Sequence, residues 1–325
     1  MHLEAVVHDH AAAFIGRSPW DVSKDSRLLF DAHATAWRCY GHRCVAPVVQ
    51  PRLAEAQAWG MQVQAIDAGE GIVAGAPVFE SLEQLRELEP IDPAAASLRT
   101  VLEAAPALNA EVNGACTLPI SGPFAIAEAL LGRARLLERV AREPRESAHA
   151  LAHVVDCLAP WIDAVARTGC PAAVFEADYA PTELPATTFD RAVAESLSEL
   201  VLRVRRATHE SPALFVDGDT ASIAGLLAAT GAGHVNCPDT TSQTLFLAAV
   251  RKHRDLEVRV DLPRRLWTGA SWHSICDEIS VRAGYTRHHA NIMLGTGPLP
   301  LHASSILVVD ACHFTTNMDP WLGAS

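Results

Sequence analysis

Lysine is nearly missing from these 325 residues: only Lys24 and Lys252 occur. Lys and Arg together number 26 against 38 Asp and Glu, a formal charge of −12. Such a surface repels a phosphate backbone, which excludes nucleic acid as the expected partner. No apolar run reaches the ~20 residues that a membrane-spanning helix needs, so no membrane association is expected. The opening stretch MHLEAVVHDHAAAF carries Glu4 and Asp9 and has no basic region leading into an apolar run. No signal peptide and a cytoplasmic location are therefore expected. The GxGxxG fingerprint of dinucleotide-binding folds does not occur, nor do a Walker A loop, HExxH or GxSxG. The eight cysteines are scattered without a CxxC pair, which reads as free thiols in a reducing compartment.

What is present is a 49% hydrophobic chain in which short apolar runs alternate with segments of helical period. That rhythm predicts an α/β fold with a parallel sheet. Strands are expected at about 43–49, 108–113 (continuing loosely to Ile120), 172–177, 213–219, 234–237, 257–262 and 290–297. Helices are expected at 21–40, capped by Asp21 or Ser23, and at 52–59, from 121–124 to about Leu131, and at 144–168. Further helices are expected at 187–208, 221–229, from 238 to about His253, at 270–283 and at 302–312. The segment 61–78 reads as a small hairpin around glycines. Connections are short and no linker divides the chain. The expectation is a single (β/α)8 TIM barrel over residues 1–325, with N-terminal helical and hairpin additions.

In such a barrel the chemistry sits at the C-terminal strand ends. Residues two apart on a strand share a face, which singles out Glu176 with Asp178, Asp217 with Asp219, His234 with Asn236, and Arg259 with Asp261. Glu111 and Asn113 are further candidates. Each has a plainer reading. Glu176, Asp178 and Asp219 suit helix or turn caps, Asp261 before Leu-Pro suits a turn, and His234 suits a satisfied buried histidine. Asp217 is hardest to dismiss, because it ends an apolar strand and precedes Gly218. Converging carboxylates raise one another's pKa, which makes one a proton donor near neutral pH. Gly122 and Pro123 of the SGPF turn open a helix whose N-terminus can receive an anion. Arg52, Arg264 and Arg265 lie near strand ends; they read as solvated surface arginines, with substrate carboxylates as the alternative partner. Among the close His/Cys pairs, His234 and Cys237 are the one with a possible soft-metal sense, three apart on opposite strand faces. They bind one ion only if the chain turns at Pro238.

Taken in order, several segments resemble the uroporphyrinogen decarboxylase superfamily, which includes corrinoid:thiol methyltransferases and is similar to the core of cobalamin-independent methionine synthase. They are AAFIGRSPWDVSKDSRLLFDA (12–32), EAQAWGMQV (55–63), SGPFAIAEALLG (121–132), LFVDGDTASIAGLLAATG (214–231), DLPRRLWTGASWHSICDEI (261–279) and NIMLGTGPLP (291–300). The resemblance implies a (β/α)8 barrel with its pocket at the strand ends. It also implies that Phe215, Asp217 and Thr296 stand where the thiol-alkylating members hold zinc with His, Cys and Cys. Zinc is therefore not expected there. The Arg-rich N-terminal element of the decarboxylase branch has no counterpart, and its Asp after the first strand matches Pro51. The expectation is a zinc-independent, methyltransferase-like enzyme acting on a small molecule, with catalytic Asp217, Asp178 and His234. Glu176, Asp219, Asn236, Asp261, Gly122, Thr296 and Phe215 are the expected substrate-binding residues. A corrinoid or tetrahydrofolate is the expected methyl carrier, a corrinoid protein the expected partner, and a homodimer an open option. The alternatives are a lyase or decarboxylase that protonates a carbanion from an acidic pocket, and a non-catalytic binding barrel.

Overall fold

The apolar runs expected at 172–177, 213–219, 234–237, 257–262 and 290–297 are parallel strands of one sheet, because each is buried on both faces. The structure, a computed structural model, describes residues 2–66, 71–286 and 291–318. Nine strands are described: β1 Leu3–Val6, β2 Val63–Ile66, β3 Gly71–Ala74, β4 Leu118–Ser121, β5 Ala172–Tyr179, β6 Ala213–Gly218, β7 His234–Cys237, β8 Glu257–Asp261 and β9 Ile292–Pro298. Seven of them form a curled parallel sheet in the order β1-β9-β8-β7-β6-β5-β4, with helices packed on its convex face. The result is an α/β, TIM-like half-barrel. β2 and β3 pair separately as the expected antiparallel hairpin, whose residues 67–70 lie outside the described ones.

Two expectations fail for local reasons. Residues 108–113 are not a strand; they complete the helix Ala96–Glu111, which runs through Pro106. Leu98, Val101, Ala105 and Leu108 are buried at helical spacing, and that stripe outweighs the proline. The helix ends at Asn113 and Gly114, both left-handed. The segment 43–49 is not a ladder strand either. Pro47 removes a donor and the Val48 N–H turns back onto the Ala46 carbonyl at 2.7 Å. A single bridge, Val45 to Cys116, joins it to the β4 side. On the β1 side a side chain substitutes for the ladder: the Glu4 carboxylate accepts the N–H groups of Arg43 and Cys44, both at 2.8 Å. Among the described residues the backbone ladder does not close between β1 and β4.

The expected 21–40 helix splits in two. Ser18 caps Pro19–Val22, and Asp25, not Asp21 or Ser23, caps Ser26–Tyr40 by accepting from Arg27 and Leu28. The 144–168 segment likewise breaks into Pro144–Cys157 and Ala159–Arg167. β1 itself, four buried residues, was not foreseen. The main apolar core lies between sheet and helices and runs contiguously from Leu3 to Ala311. A second, small cluster of Ala46, Val48, Ala173, Phe175 and Phe215 fills the concave side.

Candidate active site

Above that inner cluster, at the C-terminal strand ends, lies a cavity of about 240 Å³. Its floor is aromatic, with Phe175 and Phe215 at 5.1 Å between ring centroids. Asp178, Asp217, Arg52, Arg264, His8 and Asp9 are among its walls. Asp217 reaches the cavity from β6 because Gly218 takes φ +88 and packs against β5, where a Cβ would meet the Tyr179 amide nitrogen at 2.9 Å. Asp178 reaches it past an irregularity in the β5–β6 register between Glu176 and Tyr179.

Arg52 is not a solvated surface arginine. Its side chain, 22% exposed, lies between the two carboxylates. One terminal nitrogen bonds Asp178 Oδ1 and the other donates to Asp217 Oδ2 at 2.6 Å. Its Nε is buried without a partner. Burial pushes the Asp217 carboxyl above its usual range; Arg52 opposes the rise, and Asp178 and Asp261 add to it. Asn236 orients this carboxylate. Its Oδ1 accepts the Val216 N–H at 2.9 Å, which leaves its Nδ2 to donate to Asp217 at 3.4 Å and Asp261 at 3.3 Å. Asp261 is in turn held by buried Arg259 at 2.7 and 3.2 Å, and Arg259 lies 4.5 Å over the Phe215 ring. Gly295 makes room for that pair, since a Cβ there would meet Arg259 Cδ at 2.6 Å.

Other expected residues lie elsewhere. Glu176 lies beneath the helix Pro123–Leu131 and accepts from Ala125 at 2.6 Å, Ala177 at 2.7 Å and Phe124 at 3.3 Å. The N–H groups of Phe124 and Ala125 are ones that the SGPF turn had offered to an external anion. Burial pushes the Glu176 carboxyl up to about 7 against these donors. Gly122 is glycine for the same reason, as a Cβ would press into the Glu176 carboxylate, 2.9 Å from Oε1 and closer still to Oε2. Asp219 receives the Ala221 N–H at 3.4 Å, as a turn residue does. Thr296 is buried and its hydroxyl is used: it accepts from Val6 at 2.9 Å and donates to the Gly297 carbonyl at 2.7 Å. Glu111 and Asn113 belong to the end of the helix Ala96–Glu111, away from the mouth.

His234 shares the concave face but not the height. Its register partner on β6 is Ala213, four residues before Asp217. It faces a separate cavity of about 290 Å³ at the N-terminal strand ends, beneath Phe215 and 3.4 Å from Glu257. Alternation fixes a face; only the stagger between strands fixes depth. Cys237 is fully buried at the far end of β7, and burial pushes its thiol up. The strand does not bring His234 and Cys237 together. Among the described residues no group of three or more His, Cys, Asp or Glu is placed to hold a metal ion.

Sequence reasoning passed over His8 and Asp9, which follow the unforeseen β1. His8 packs edge-on against Phe175 at 5.7 Å. Burial, then the charges of His33, Arg259, Arg52 and Arg264, lower its pKa to about 3, so the imidazole is neutral. An adjoining groove of about 470 Å³ runs from Gln50, Arg52 and Asp178 between the β2–β3 hairpin and the helix Pro123–Leu131. No helix among the described residues is long and apolar enough to cross a membrane.

No curated protein sequence matches the chain. A methyltransferase from Methanosarcina mazei shares the fold: its structure superposes with a TM-score of 0.76 at 12% identity, covering 97% of this chain and 94% of that one. The sequence profile of the family described as Uroporphyrinogen decarboxylase (URO-D) matches residues 5–255. With strand order, cavity position and profile in agreement, the chain belongs to the uroporphyrinogen decarboxylase family.

Proposed function

We propose that this chain is a methyltransferase-like enzyme, its barrel a single domain in which the 43–49 segment takes the place of an eighth strand, that acts on a small molecule at the cavity over the strand ends without zinc. The observation that carries the reading is the Asp178–Arg52–Asp217 constellation. It sets a carboxylate of raised pKa, oriented by Asn236, against a cavity of about 240 Å³. Zinc does not suit the family position: Phe215 has no ligand atom, the Thr296 hydroxyl is bonded to backbone, and Asp217 is paired with Arg52. The Asp217 Oδ1 carries only the long Asn236 contact, so it can accept the proton of a protic acceptor as the acceptor's bond to carbon forms. A methyl carrier of the corrinoid or tetrahydrofolate class would supply the electrophilic carbon and would leave with the electron pair of the broken carrier–methyl bond. The adjoining groove has room for the reactive end of such a carrier beside Arg52 and Asp178.

One observation favours a second reading. An Asp held above its usual pKa beside arginines also suits protonation of a carbanion after loss of carbon dioxide. The two separate in one experiment. Purified protein is incubated with labelled methyl-tetrahydrofolate or a methylated corrinoid protein and a panel of small acceptors, and in parallel with carboxylic acids under carbon dioxide detection. Label in the acceptor supports methyl transfer, carbon dioxide release supports the lyase, and neither with bound ligand supports a binding barrel. Emission spectroscopy on the same preparation tests for zinc.

A further inference from the structure

The mouth cavity has two chemically opposite sides. In the sheet order β1-β9-β8-β7-β6-β5-β4, the segments after β1 and β8 lie on one side and the ends of β5 and β6 on the other. The first side carries His8, Asp9 and Arg264; the second carries Asp178 and Asp217 with Arg52 between them. On the second side two carboxylates share one guanidinium, which leaves about one negative charge there. On the first side Arg264 lines the cavity and makes no hydrogen bond or ion pair within the described residues. Asp9 feels its charge but makes no ion pair with it, so this side sums to about zero, with its positive charge held apart at Arg264. His8, neutral, has no hydrogen-bond partner on its ring, and its Nδ1 is buried. A buried polar atom left unbonded costs roughly 1–3 kcal/mol. The His8 Nδ1 is such an atom at the cavity wall, and it marks where a polar atom of a ligand belongs.

The geometry points to a small zwitterion as the ligand: an amino acid whose carboxylate meets Arg264 and His8 and whose ammonium meets Asp178 and Asp217. An anion alone is repelled by the acidic side, and a cation alone gains nothing from the Arg264 guanidinium and leaves the His8 Nδ1 unbonded. A zwitterion matches both, so complementarity sets both identity and orientation. A cavity of about 240 Å³ admits an amino acid of few heavy atoms. This inference rests on the cavity being the substrate pocket, as proposed above, and on nothing about the group transferred.

The test is calorimetric titration of the full chain with glycine, β-alanine and 4-aminobutyrate, and with propionate and propylamine as half-ligands. At least one amino acid should bind, with both half-ligands weaker by on the order of 10-fold or more. Arg264→Gln should reduce that amino acid's affinity to that of propylamine and leave propylamine unchanged, and Arg264→Lys should restore part of the loss. Arg264 is exposed on the short turn Arg264–Thr268; an unaltered melting temperature of the free variant confirms that it folds. No binding by any of the amino acids, half-ligands as tight as the zwitterion, or an Arg264→Gln variant with unchanged selectivity would overturn the inference. Methyl transfer to acceptors without a carboxylate would leave the proposed function standing and remove this inference. Zwitterion binding with neither methyl transfer nor carbon dioxide release would do the reverse.

Discussion

Replacing Glu176 by Gln should abolish part of the protein's pH-dependent stability in a defined window. The Glu176 carboxyl is pushed from 4.5 to about 7 by burial. The sign follows from linkage: a carboxyl with a raised folded pKa contributes stability fully below its unfolded pKa, and loses it as pH rises through the folded value. The loss therefore runs from about pH 4.5 to about pH 7 and amounts to about 3 kcal/mol at 1.36 kcal/mol per pH unit. Gln does not titrate. With its oxygen in place of Oε1 it keeps the donors of Ala125 and Ala177, while its amide nitrogen takes the place of Oε2, loses the 3.3 Å contact with Phe124 and faces that N–H donor to donor. Losing that contact and leaving two buried donors facing each other costs roughly 1–2 kcal/mol. In urea unfolding the variant should be about 1–2 kcal/mol below the parent at pH 4.5, and above it by about 1–2 kcal/mol at pH 8. Glu55 and Asp217 are raised as well, so the difference between variant and parent is the quantity to read. A constant difference across the window, or a variant weaker at both ends, would refute the reasoning.

Two further outcomes follow from the same kind of accounting. Gly122→Ala should cost roughly 2–3 kcal/mol through overpacking against Glu176, and most of that should vanish in a Glu176→Ala background when a double-mutant cycle is measured by chemical unfolding. His8, His33 and His42 have folded pKa values of about 3, 3 and 4, each lowered first by burial. Their neutral burial contributes stability above about pH 6.5 that is lost as pH falls below it, so His33→Leu should flatten the acid limb of a melting-temperature profile, and an unchanged acid limb would remove the explanation.

Much of the frame was legible because burial on both faces writes itself as short apolar runs. HVNC at 234–237 has the bounds read from sequence, and SGPF opens its helix as Pro123 requires. β1 escaped because its four residues include Glu4, whose carboxylate serves as a backbone acceptor for the neighbouring segment. With β1 unread, His8 and Asp9 had no strand end to belong to. The 43–49 run has strand composition, but Pro47 breaks its ladder. In the site, Asp217 stood out because a charge ending an apolar strand before glycine is locally visible. Arg52 and Arg264 carry no such mark, since a loop arginine looks alike in sequence whether solvated or clamped. Glu176 and Asp178 differ because of a register irregularity, and His234 because of strand stagger; neither is encoded in alternation.

The central claim is that Asp217 acts in the cavity and does not merely hold it together. Asp217→Asn keeps the side-chain shape, leaves Arg52 paired with Asp178, and removes a carboxylate that burial disfavours. Unfolding and turnover, whether label transfer or carbon dioxide release, are measured on one preparation. The account predicts a rate lowered at least ~10²-fold, the usual scale for losing acid–base help, with a melting temperature equal to or above the parent's. A melting temperature several degrees lower with near-normal turnover would assign Asp217 to the scaffold and contradict the account.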